Sequence, residues 1–165
     1  MIYRFRVILD AEEDVFRDIE IEAEATAEDL HNSITQAFGF EGGEMASFYV
    51  SDEEWNQGEE IALFDMNEGL SSIRVMCETA LDDLVHKEQT RLIYVYDFFN
   101  MWTFLVELAE IANPEDGMTY PNLMFAHGEL PDSPPEKEFK SESNEIDFDQ
   151  DFNIDSFDDF NEQWN

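Results

Sequence analysis

Apolar and charged positions alternate from the start of the chain. Tyr3, Phe5, Val7 and Leu9 are separated by Arg4, Arg6 and Ile8, which predicts a half-buried strand. Ile19 and Ile21 alternate with Asp18, Glu20 and Glu22 in a second strand beyond the acidic stretch 10–14. One register suits both faces. It sets Phe5 against Ile19 and Tyr3 against Ile21 inside, with Arg6 against Asp18 and Arg4 against Glu20 outside. An N-terminal β-hairpin is therefore expected. Thr26 ahead of Ala27-Glu28-Asp29 reads as an N-cap with acids in the first turn. Leu30, Ile34, Ala37 and Phe38 then recur at helical spacing, and Gly39 supplies the stop.

Phe48-Tyr49-Val50 predicts a third strand, followed by a polar connection, 52–60, around Trp55. Ile61 to Phe64 reads as a short strand and Ser72 to Cys77 as another, with Thr79 capping a short helix through Leu81, Leu84 and Val85. Leu92, Tyr94, Tyr96 and Phe98 share one face; Trp102, Phe104, Val106 and Leu108 share the next. Phe99-Asn100-Met101 separates the two sets, which predicts a hairpin. Its other face, with Ile93, Val95 and Leu105, is also apolar, so both strands are expected at the centre of a sheet. The five prolines, Pro114, Pro121, Pro131, Pro134 and Pro135, all follow it. The expected fold is α+β: an N-terminal β-hairpin, one main helix, and a mixed or antiparallel sheet completed by the aromatic-rich C-terminal hairpin. Residues 1–138 form the single domain, with a proline-containing surface segment at 113–138, and 139–165 form a tail.

Charge narrows the partners. The 165 residues hold 41 Asp and Glu against 8 Lys and Arg, a net charge of −33, while 43% hydrophobic content argues against wholesale disorder. Such a field repels nucleic-acid phosphates and anionic membranes and attracts basic protein surfaces. No direct nucleic-acid or membrane binding is expected. The single cysteine, Cys77, leaves no intramolecular disulfide and suits a reducing compartment. The alternating N-terminus lacks the continuous apolar stretch of a signal peptide, so a cytoplasmic location is expected. The oligomeric state stays open.

The order of elements resembles the Ri-plasmid open-reading-frame-three-like family, whose members sometimes carry a transposon-passenger annotation. The resemblance rests on Leu30-His31-x-x-Ile34-x-x-Ala37-Phe38-Gly39-Phe40 and Tyr94-x-Tyr96-Asp97-Phe98-x-x-x-Trp102, with Tyr120-Pro121, Gly128, Pro131 and Pro134-Pro135-Glu136 behind them. It covers about residues 1–138 and implies an α+β fold with no established activity. Three departures stand out. Asp97-Phe98-Phe99-Asn100 occupies the place of an Asp-Phe-Gly-Asp turn, and Glu44, Met45 and Ala46 stand where members often carry His-x-His. The usual Cys and Gly-Gly of the proline segment are missing too. A polar or metal-assisted site built from those groups would be lost in this chain.

Candidate chemistry is sparse. His31, His86 and His127 lie far apart without ligand-spaced partners, and His31, beside core-facing Leu30, reads as a flank or helix-surface residue. Cys77 in so acidic a chain reads as a structural thiol. Asp97 at a hairpin end can accept turn N–H groups. Asp147, Asp149, Asp151, Asp155 and Asp158 follow a calcium-loop spacing, but Phe152 replaces the required glycine and Asp158 the bidentate glutamate, so no metal or cofactor is assigned. No catalytic residue is assigned either.

The tail is more informative. Residues 141–165 hold nine acids and no Lys or Arg, interspersed with Ile146, Phe148, Phe152, Ile154, Phe157, Phe160 and Trp164. Uncompensated charge predicts disorder when free. Phe148, Phe152, Phe157, Phe160 and Trp164 are the candidate anchors for a basic protein partner, which could itself bind nucleic acid. Packing on its own domain, or simple solvation, is the bland alternative. The expected function is a non-enzymatic interaction domain. The competing expectation is an enzyme with a pocket near Asp97, His31 or Cys77.

Overall fold

A computed structural model describes residues 1–64 and 73–134, which belong to one compact unit. The tail and its five candidate anchors lie outside the described residues. Strands β1 (Ile2–Leu9) and β2 (Phe16–Glu22) precede helix α1 (Ala27–Phe38). Then come β3 (Ala46–Ser51), β4 (Gln57–Ala62) and β5 (Arg74–Val75), two 3-10 turns at Met76–Glu78 and Leu81–Asp83, β6 (Arg91–Tyr96), β7 (Trp102–Ala112) and β8 (Asn122–His127). The eight strands form one sheet in the order β5-β4-β3-β6-β7-β1-β2-β8, with only β4–β5 parallel. The fold is α+β with strands dominating. Among the described residues no helix is long and apolar enough to cross a membrane.

The first hairpin has the register that its two faces require. Phe5 faces Ile19, Tyr3 faces Ile21, Arg6 faces Asp18 and Arg4 faces Glu20. Arg6 grips Asp18 with two bonds of 2.8 and 2.9 Å, and Arg4 bridges Glu20 and Glu110, both at 2.8 Å. These exposed and part-buried pairs fix register more than they stabilise, each contributing about 0–1 kcal/mol. Stability comes from the opposite face. There Phe5, Phe48, Tyr94, Phe104 and Val106 meet Leu30 and Ile34 of α1, all fully buried.

Helix α1 starts at a full capping box: Thr26 accepts from the Asp29 N–H, and Asp29 accepts from the Thr26 N–H. It ends at Gly39 with φ 84°, a left-handed conformation that a side chain would oppose. Arg17 of β2 secures that end. Its Nε donates to the Ala37 carbonyl, its Nη1 to the Phe16 and His127 carbonyls, and its guanidinium lies 4.7 Å from the Phe38 ring centre. The cation thus meets an orphan carbonyl, that of Ala37, at the negative end of the helix.

Several boundaries differ from the sequence pattern. Gln57 to Glu60, read as a connection, are the first residues of β4, and Phe64 falls outside it. Gln57 to Glu59 lie exposed next to the sheet's edge, where polar side chains cost little, and only Ile61 of this strand is buried. Thr79 caps no helix; its hydroxyl donates to the Val75 carbonyl, and the following turn is 3-10. Phe98 leaves the strand face and sits in the turn after Tyr96. The surface segment 113–138 contains a strand, β8, on the edge beyond β2, and the aromatic hairpin lies at the sheet's centre, as its two apolar faces require. Pro121 immediately before β8 suits an edge strand, which leaves N–H groups unpaired anyway.

Two substitutions test this packing. Thr26→Ala should cost about 1 kcal/mol through the lost cap. Phe48→Ala, at a fully buried ring, should cost about 3–5 kcal/mol. Urea unfolding measures both, and equal losses would contradict the assignment.

Candidate interaction site

The β6–β7 turn is built around Asp97. Its N–H donates to the Met45 carbonyl at 2.7 Å, and its carbonyl accepts from the Asn100 and Met101 N–H groups. Its carboxylate accepts from the Phe99 and Asn100 N–H groups and, at 2.6 Å, from Asn100 Nδ2. Asp97 and Met101 both take positive φ, 63° and 60°. Such conformations are strained for residues with side chains, and the carboxylate bonds hold the first of them in place. The acid is thus consumed by the turn, as its position at a hairpin end suggests.

What the turn displays is apolar. Phe99 is 93% exposed, Phe98 41% and Met101 51%. Underneath lies a rigid aromatic platform: Phe40 stacks on Tyr96 at 4.4 Å and meets Trp102 at 5.3 Å and Phe104 at 6.1 Å. Around it lie acids. Exposed Glu41 and Glu44 flank Met45, which holds Asp97. The β1–β2 loop, with Asp10, Glu12, Glu13 and Asp14, adjoins the start of β7 through the Asp10 N–H and the Thr103 carbonyl at 3.0 Å. Burial raises the Tyr96 hydroxyl pKa, and nearby Glu44, Asp97 and Glu41 raise it further. That field is the electrostatic signature of this end. Ion pairs of Arg4, Arg6 and Arg91 lie farther along the sheet, and that of Arg74 on the β4–β5 side.

Two of the three stretches that set the chain apart from the pattern it resembles, 44–46 and 97–100, come together here. Met45 and Asp97 are hydrogen-bonded, Ala46 pairs with Tyr96, and Phe99 and Asn100 form the tip. Sequence reasoning singled out Asp97 but passed over Phe98, Phe99 and Met101. Phe98 was assigned to a strand face, and only the register from Tyr96 to Trp102 shows that the strand has already ended.

The other candidates are placed elsewhere. His31 is not a surface residue: it is 5% exposed on the inner face of α1, with Nδ1 2.7 Å from the Tyr94 hydroxyl. Tyr94 is buried between Ile93 and Val95 and its hydroxyl needs a partner, which was the available signal. Cys77 is exposed in the first 3-10 turn. Clefts of about 220, 320 and 400 Å³ are lined by none of Asp97, His31 and Cys77. Among the described residues no group of His, Cys, Asp and Glu is arranged to hold a metal ion.

The chain belongs to the plasmid pRiA4b ORF-3-like protein family, whose pattern matches residues 1–141. No curated protein matches it. Its fold is similar to the crystal structure of a protein of unknown function, MM3350 from Methanosarcina mazei Go1, with a TM-score of 0.66 and 20% identity. That match covers 76% of this chain and 68% of the other. At such identity the likeness concerns the fold alone.

The buried histidine has a measurable consequence. Desolvation holds the His31 pKa below its ordinary value, so the folded state favours the neutral ring. As pH falls below about 6.5 the unfolded chain takes up this proton first. The stability contribution of neutral His31 is present above that pH and is lost as pH falls through the depressed folded value. In His31→Gln, urea midpoints between neutral and mildly acid pH should lack this component. A profile parallel to that of the wild type would contradict it.

Proposed function

We propose that this chain is a non-enzymatic protein-interaction domain that binds a basic protein partner in the cytoplasm. The observation that carries this reading is Phe99, 93% exposed at the end of a hydrogen-bonded turn among Glu41, Glu44, Asp97 and the acids of the β1–β2 loop. A large exposed ring gains about 1.5–3 kcal/mol when a partner buries it. The acids add little affinity singly, but together they speed encounter with a cationic surface and reject anionic ones. Phe98 and Met101 widen the contact, and methionine adapts to an irregular pocket.

The tail repeats the same composition. Phe148, Phe152, Phe157, Phe160 and Trp164 are proposed as further anchors, spaced among nine acids. Two weak contacts on one chain reinforce each other through effective concentration. The partner is read as a basic protein, including one whose cationic surface otherwise meets nucleic acid.

Affinity capture compares full-length protein, a chain ending at Asn144, and Phe99→Ser. Basic proteins should be retained by the full chain, reduced by either change, and released as salt rises. Phe99→Ser should weaken the recovered partner roughly tenfold or more and leave thermal unfolding unchanged. Identical partner sets for all three proteins would sink the proposal.

A further inference from the structure

We propose a second docking surface: the free edge of β8, with the cleft beside it, receives an extended segment of another protein, apolar at alternate positions and basic between them. This surface is independent of the β6–β7 turn, from which β1 and β2 separate it in the sheet.

Among the described residues, strand β8 is paired on one side only, with β2. Sheets usually guard such an edge with charged residues, prolines within the strand or a covering element. Asn122–His127 contains no Asp, Glu, Lys or Arg, in a chain that is 30% charged. Leu123, Met124 and Phe125 are each close to half exposed. A register shift between Asp18 and Ile19 splits them between the two faces of the sheet. Leu123 faces the helix side, opposite Ile19. Met124 borders the cleft of Arg4, Arg6 and Asp18 on the other side.

The helix side carries the receptor feature. A cleft of about 220 Å³ has Ile19 of β2 at its base, Ser33, Gln36 and Ala37 of α1 along one wall, and Pro121, Asn122 and Leu123 along the other. That volume is below the range of small-molecule sites and suits one or two side chains. A helix lying beside a free edge strand is the arrangement in which a peptide adds as a further strand. Its main chain pairs with the edge, and every second side chain drops into the cleft.

Charge selects the residues in between. Helix α1 and β8 carry no Lys or Arg, and Arg17 of β2 is buried against carbonyls. Asp29 lies one turn before Ser33 on α1, Glu129 lies near Arg17, and the whole chain carries −33. A second copy would bring equal negative charge to the same edge, so the occupant is a basic segment of a different protein.

Selection of displayed random peptides on the full-length protein tests this. Enriched peptides should alternate apolar and basic residues, and on binding they should slow amide hydrogen exchange in Asn122–His127. Gln36→Trp fills the cleft from an exposed helix position, and Leu123→Ser removes its apolar wall. Each should weaken the enriched peptides roughly tenfold, while Phe99→Ser should leave them unaffected. No enrichment, binding indifferent to both cleft variants, or protection at the β6–β7 turn instead would overturn the proposal. So would concentration-dependent protection of β8 in the protein alone, which would mark self-pairing.

Discussion

Three rings in one row hold this molecule together. Phe48, Tyr94 and Phe104 lie side by side on β3, β6 and β7, with centres 4.8 and 5.9 Å apart, all fully buried. Phe104 reaches Phe38 of the helix at 4.7 Å, and the Tyr94 hydroxyl reaches His31. The row therefore joins three central strands to the only α-helix among the described residues. Its next neighbours, Tyr96 and Trp102, close around Phe40 and support the exposed turn. Packing and presentation are one continuous structure.

A shortage of cations shapes the rest. Arg4, Arg6 and Arg91 are spent on ion pairs with Glu20, Glu110, Asp18 and Glu107, and Arg17 on the end of α1. Those pairs bind strands that would otherwise set acid beside acid. The turn end of the sheet is left to Glu41, Glu44, Asp97 and the β1–β2 loop. The exposed rings of Phe98 and Phe99 lie at that same acidic end.

Legibility followed periodicity. The first hairpin was readable to the residue because apolar and charged positions alternate in the same phase, so both faces demand one register. Helix α1 was readable from Thr26, Asp29 and Gly39. Strands β4 and β8 were not: Gln57 to Glu60 are polar, and Asn122 to His127 follow a proline without alternation, since strands at or beside the sheet's edge need bury little. His31 was misread because neighbouring Leu30 accounts for the stripe, whereas the hydroxyl of Tyr94 recruits the next residue inward. Of the candidate site, Asp97 was visible as a turn-former. The exposure of Phe99 was not, because exposure depends on where the strand ends.

Membership of the plasmid pRiA4b ORF-3-like family sets the scaffold, and the interaction proposed above rests on this chain's own residues at the turn. The most direct test is residue-resolved chemical-shift mapping of the full chain against a basic partner recovered by affinity capture. The account predicts the largest changes at Phe98, Phe99 and Met101, with smaller ones at Glu41, Glu44 and the β1–β2 loop. A footprint that leaves the turn untouched would contradict it.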